Sequence, residues 1–197
     1  MPRIVNHEKR RAMLAEALWR LVGNEGIRAV SIRKVAAEAG RNRGTVEHYF
    51  PTVDSMLLYA SRHACEKAIA QVRYHHRELS GRAALEAILT RDMALYGNRR
   101  TAARIWFGLL ATAVANPLIA DEFVRFDDEM GAILAEIITE MAAAGEASAS
   151  IDAKAAAADL LGFNLALNLN VLLRPAHFGP EVVEAQIDAR LEGLKRA

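Results

Sequence analysis

Thiol chemistry is almost absent from this chain, because Cys65 is its single cysteine. That excludes an intrachain disulfide and any zinc site built from several cysteines; Cys65 itself reads as a small buried hydrophobe, with a redox sensor as the alternative. The glycine-rich phosphate loops GxGxxG and GxxxxGKS/T are missing, as are HExxH, GxSxG and any Glu-x-x-His pair. His75 and His76 are neighbours, so on a helix they point about 100° apart and cannot share one metal ion. The only dense acidic run, Asp127-Asp128-Glu129, splays on a helix in the same way and reads as a solvated face. No enzyme, metal or cofactor is expected. Residues 1–25 are charged throughout and lack the apolar core of a secretory signal. The longest uncharged stretch, Ile105 to Ala120, is shorter than a membrane span and is broken by Asn116-Pro117. A cytoplasmic protein without membrane partners is therefore expected. Strand-like alternation, repeats and extended low-complexity tracts are lacking too.

Helical periodicity is abundant. The 197 residues are 52% hydrophobic and 25% charged, enough to bury a sizeable core. A net charge of +1 hides an uneven distribution. Residues 1–50 hold 10 Lys and Arg against 5 Asp and Glu, giving +5, and the rest of the chain carries −4. A basic head on an acidic body suits nucleic-acid binding by the head.

That head carries the most informative stretch, Ser31 to Phe50. Ser31 can cap a helix with Ile32, Val35, Ala36 and Ala39 at helical spacing. Gly40 falls where this helix must end and the chain reverse. Asn42 can cap a second helix that turns Val46, Tyr49 and Phe50 inward. Its outward positions are Arg41, Arg43, Thr45 and His48, side chains able to meet phosphates or base edges. This is helix-turn-helix geometry, although an αα-corner inside any helical protein shares the spacing. A preceding helix from about His7 to Asn24, with Leu14, Leu18, Leu21 and Val22 buried, would brace the pair. Arg3, Lys9, Arg10 and Arg11 stand at its start, near DNA or merely solvated.

Pro51 stops the second helix, and Thr52 can cap a long fourth helix reaching about Leu79, with Arg62, Lys67, Arg73 and Arg77 outward. Further helices are expected from Ser80-Gly81 to near Gly97, from Arg99 to Ala115, from Pro117 to Ala144, from a Ser150 cap to Leu173, and from Gly179-Pro180 onward. The helix after Ser150 is apolar nearly all round from Leu160, so it needs cover on more than one side. The last helix, with Val183, Ile187, Leu191 and Leu194 on one stripe, cannot supply all of it. A second copy is expected there, in a four-helix interface that includes Leu165, Leu169, Val183, Ile187 and Leu191. Met93, Trp106, Phe107, Phe123, Phe126 and Phe163, with the amides of Asn164 and Asn168, are candidates for a small-molecule pocket. Core packing for the aromatics, and backbone or interface bonding for the amides, remain open.

Residues 8–58 resemble the N-terminal domain of the TetR family of transcriptional regulators. The resemblance lies in Glu25-Gly26, Ser31-Ile-Arg-Lys-Val-Ala-Ala-Glu-Ala-Gly40, Gly44-Thr45-Val46, His48-Tyr49-Phe50, Pro51-Thr52 and Leu57-Leu58. Downstream, Arg104-Ile-Trp-Phe and Ala115-Asn-Pro-Leu are loosely similar to the ligand-binding domain of the choline-responsive, BetI-like branch. The resemblance implies an all-α fold of about nine helices, with a three-helix DNA-binding domain over 1–50 and an effector-binding and dimerisation domain over 51–197. It implies a homodimeric regulator, in the usual case a repressor released from a palindromic double-stranded operator by a small effector. Arg33, Arg41, Asn42, Arg43, Thr45, His48 and Tyr49 would meet the DNA. A helical carrier without DNA binding is the alternative in another class.

Three positions depart from the family pattern. Arg41 replaces an apolar residue, Glu47 a tyrosine that touches a phosphate, and Val53 a lysine. Glu47 would either repel the DNA backbone or pair with Arg41 or Arg43 and hold it in place.

Overall fold

The computed structural model describes residues 2–91, 95 and 99–196, with the side chains of 2–6 and 91 left aside. Among the described residues there are nine α-helices, one 3-10 helix and no strand. In order they are α1 (Pro2–Glu25), a 3-10 turn (Ile27–Ala29), α2 (Ile32–Glu38), α3 (Arg43–Tyr49), α4 (Val53–Glu78) and α5 (Gly81–Arg91). There follow α6 (Arg99–Ala113), α7 (Pro117–Ala143), α8 (Ala153–Leu173) and α9 (Pro180–Gly193). The chain forms two compact units, Met1–Lys67 with Arg104–Val124, and Ala68–Ala103 with Arg125–Ala197.

Local chemistry sets the helix ends. Ser31 Oγ accepts from the Lys34 amide at 3.3 Å and starts α2. At its far end Gly40 takes φ 61°. The Arg41 amide then reaches the Ala36 carbonyl at 2.9 Å and the Gly40 amide that of Ala37 at 3.1 Å. This pair of bonds satisfies carbonyls that the end of α2 would otherwise leave bare, and it needs a residue at ease in the left-handed region. Thr52 and Ser55 cap α4 reciprocally, at 3.0 and 3.2 Å. α8 is capped by Asp152 and not by Ser150: its carboxylate accepts from Lys154 and Ala155 at 3.1 and 3.0 Å. Ser150 is instead held by Ser148 at 2.9 Å in the turn before it.

In the first unit, Leu14, Leu18, Leu21 and Val22 of α1 are buried, as are Val35 and Ala36 of α2 and Val46 and Tyr49 of α3. Ion pairs at the surface, Arg20 to Glu38 and Lys34 to Glu25, tie α2 back to α1 at 2.7 and 2.6 Å. Gly108 of α6 sits so close to α1 that a methyl group there would meet Val22 Cγ1 at 3.3 Å. Arg62, expected simply to face outward, binds Glu122 of α7 at 2.6 and 3.1 Å, and that carboxylate side chain is only 7% exposed. A buried carboxylate demands such a partner. Lys67 likewise covers the Trp19 ring, 4.7 Å from its centroid.

In the second unit, Leu85 and Leu89 of α5, Leu134, Ile137 and Ile138 of α7, Leu160, Leu167 and Val171 of α8, and Val183, Ile187 and Leu191 of α9 share one core. The last three correct the expected interface. They are 1–2% exposed within the single chain, so they have no surface left to offer a second copy. The stripe on α9 is apolar because it packs inward beside α5. There Arg82 holds α9 through Asp188 and Glu192 while also binding Glu86.

Candidate DNA-binding site

α3 is a seven-residue helix with two unlike faces. Inward it buries Val46 and Tyr49; outward it exposes Arg43, Gly44 and His48, with Arg41 and Asn42 exposed just before it. Asn42 Oδ1 accepts from both the amide and the hydroxyl of Thr45 at 2.7 Å. The cap therefore fixes where α3 begins and also commits the Thr45 hydroxyl hydrogen. Arg33 projects from α2 as a further exposed cation.

Tyr49 is buried at the foot of α3, with its ring 4.6 Å from that of His7 and its hydroxyl accepting from Arg10 at 3.2 Å. Arg10, read from sequence as near DNA or merely solvated, is thus a partner of Tyr49, a pairing across thirty-nine positions that only folding brings about. His48 stands edge-on to Tyr49 at 5.2 Å.

Glu47 makes an ion pair with Arg43. Arg43 Nε donates to Glu47 Oε1 at 2.7 Å, one helical turn away, with 71% of the arginine side chain and 38% of the glutamate exposed. Such a pair contributes about 0.3–0.5 kcal/mol to folding, so its consequence is geometric. It restricts where the guanidinium points.

Gly44 is the other unusual feature of this face. Its φ is ordinary, and a methyl added there would meet nothing closer than Asn42 Oδ1 at 3.8 Å. Nothing inside the chain requires glycine at this position, although glycine weakens a helix. The absent side chain leaves the α3 backbone approachable from outside.

The candidate effector residues divide between the units. Trp106 and Phe123 meet edge to face at 5.1 Å in the first, where Phe107 is half-buried. In the second, Phe126 and Phe163 pack on the core, and Phe163 lies under the Arg190 guanidinium at 5.3 Å. Asn164 Nδ2 donates to the Leu89 carbonyl at 2.9 Å, joining α8 to α5. That is the structural use among those open from sequence. Asn168 is half-buried in the same unit, and Met93 lies outside the described residues. Asp127 and Asp128 are exposed, as expected of a solvated face, and desolvation and then the neighbouring Asp128 raise the Asp127 pKa.

A short, capped second helix with a basic outward face, braced by two others, defines a helix-turn-helix DNA-binding protein. Residues 14–60 match the family described as bacterial regulatory proteins, tetR family, and residues 81–196 match the BetI-type transcriptional repressor C-terminal domain. The chain belongs to the TetR family of transcriptional regulators, with a BetI-type C-terminal domain. The members are regulators and not enzymes. Among curated relatives, the regulator PksA of Bacillus subtilis is 40% identical over 73 residues, 37% of this chain and 36% of PksA. BetI of Burkholderia thailandensis is 32% identical over 91 residues, 45% of this chain and 47% of that protein. The matches thus span about a third to a half of those relatives' length. A solved transcriptional regulator from Rhodococcus superposes with TM-score 0.84 at 25% identity, covering 94% of this chain and 96% of its own. One from Saccharomonospora viridis in complex with choline gives 0.83 at 21% identity with the same coverage, a likeness of fold.

Proposed function

We propose that this regulator is a cytoplasmic homodimer that represses by occupying a palindromic operator and leaves it when a small molecule binds. The observation that carries the reading is the outward face of α3, where Arg43, Gly44 and His48 stand exposed beside Arg41. Arg43 meets a base edge or phosphate; Arg33, Arg41, Asn42, Thr45, His48 and the Tyr49 hydroxyl complete the footprint. Residues 1–50 are the DNA-reading part, and residues 51–197 the effector-binding and dimerising part.

The dimer surface we infer is the outer face of α8 and α9. On α8, Ala158, Gly162, Leu165, Ala166, Leu169 and Leu173 are exposed at helical spacing, and on α9 so are Val182, Ala185 and Ala189. Small residues beside leucines let helices from two copies approach closely. α8 is long and apolar enough to cross a membrane, the one such helix among the described residues. Its other side is built into the core through Leu160, Leu167 and Val171. A second copy covering the outer side accounts for both.

The effector is proposed to meet the aromatic group of Trp106, Phe107 and Phe123. A choline-like cation suits aromatic faces, and the Saccharomonospora neighbour holds choline. Binding would favour a conformation in which α4 sets the two heads at the wrong separation for half-sites roughly 34 Å apart. A gel shift against the DNA upstream of its own gene tests the reading, with wild type and Arg43→Ala compared. Wild type should bind, and Arg43→Ala should bind weakly with its Tm within about a degree or two of wild type, since exposed side chains contribute little to folding. An equal loss of stability and binding would make Arg43 structural. Failure of the wild type to bind any DNA would favour the carrier.

A further inference from the structure

Outside the DNA-reading face, one cluster combines metal-ligating side chains from two helices. His76 lies near the C-terminal end of α4, and Glu136 and Glu140 lie one turn apart on α7. All three belong to the second unit. One ligand atom from each falls within 4.8 Å of the others, and His76 Nε2 is 3.8 Å from Glu136 Oε2. That separation is too long for a hydrogen bond. Two carboxylates at i and i+4 repel each other on an isolated helix. Here the cations nearby in sequence do not relieve them: Arg73 binds Glu129, and among the described residues Glu140 has no basic side chain within ion-pair reach. The imidazole's other nitrogen, Nδ1, is buried and makes no hydrogen bond, so Nε2 is the atom turned to the carboxylates. The His76 side chain is 21% exposed and that of Glu136 is 64% exposed. The ring is thus mostly covered, and the exposed carboxylates are the groups free to close on an ion.

We propose that His76, Glu136 and Glu140 form a surface site for a divalent transition-metal ion, of which Zn²⁺ is the type. One imidazole and two carboxylates supply N and O ligands of the kind such ions take. Their two negative charges match a divalent cation, and solvent fills the remaining coordination positions. Ligand bonds of about 2.0–2.2 Å place two ligands of one ion roughly 3–4 Å apart. A rotamer change in the exposed glutamates closes the present 4.8 Å to that range. A bound ion would pin the end of α4 to α7 within the second unit. The proposal stands apart from DNA binding and from the effector reading. Sequence spacing could not disclose it, because the histidine and the carboxylates are sixty and more positions apart.

The test is isothermal titration of tag-free, chelator-treated full-length protein with ZnCl₂, alongside His76→Ala, Glu140→Gln and a MgCl₂ control. Wild type should bind one Zn²⁺ per chain with a dissociation constant in the micromolar range, ignore Mg²⁺, and melt several degrees higher with Zn²⁺ present. Each substitution should weaken Zn²⁺ binding at least tenfold and remove the thermal shift. Glu140 is exposed, so Glu140→Gln should keep the wild-type circular dichroism and remain informative even if His76→Ala folds poorly. Absence of Zn²⁺ binding by wild type would overturn the site. So would binding that Glu140→Gln leaves unchanged, or that a folded His76→Ala retains in full.

Discussion

For Glu47 we propose that one carboxylate opposes DNA in general and yet serves a particular sequence. Paired with Arg43 at 2.7 Å, it cancels a charge that any phosphate would attract and fixes the direction of the guanidinium. Glu47→Gln should therefore tighten non-specific binding a few-fold, most clearly at low salt, and loosen operator binding by about three- to tenfold. Its Tm should hardly move, because the pair is exposed. Equal tightening on both DNAs, measured by fluorescence anisotropy at two salt concentrations, would mean that Glu47 only repels. Gly44 makes a second prediction at this scale. Gly44→Ala should gain up to about 1 kcal/mol of helix propensity, roughly 2–4 °C in Tm for a chain of this size, while weakening operator binding. A variant with unchanged affinity would show that no DNA backbone approaches there.

At the scale of elements, helix order and ends were largely legible from the chain. Ser31, Gly40, Asn42 and Thr52 announce their roles through local chemistry, and each does what its residue type favours. What periodicity left undecided is which partner an apolar stripe faces. Val183, Ile187 and Leu191 look the same whether they meet a second copy or α5 of their own chain, and folding chose the latter. The Arg62–Glu122 and Arg10–Tyr49 pairs were hidden for a similar reason, since each joins residues distant in sequence. This division yields a contrast between two substitutions. Leu165→Glu with Leu169→Glu places charges on side chains that are 42% and 39% exposed in the single chain, so it should give a folded monomer. Ile187→Glu buries a charge in the protomer core and should cost roughly 3 kcal/mol or more, unfolding monomer and dimer alike. Light scattering and circular dichroism separate these outcomes. A folded dimer surviving the double leucine change would move the interface elsewhere.

For the whole molecule, the distribution of charge matters more than its net value. The +5 carried by residues 1–50, the proposed reader, is offset by −4 over the remainder. Two such readers in the proposed dimer would demand a two-fold symmetric site with half-sites about one helical turn apart. Selection of genomic DNA by the purified full-length protein tests this most directly, followed by sequencing of the bound fragments. The account predicts enrichment of a palindrome whose half-site centres lie about 10 base pairs or a multiple apart, lost when Arg43→Ala is used. Enrichment of no sequence above background by the wild-type protein would contradict it.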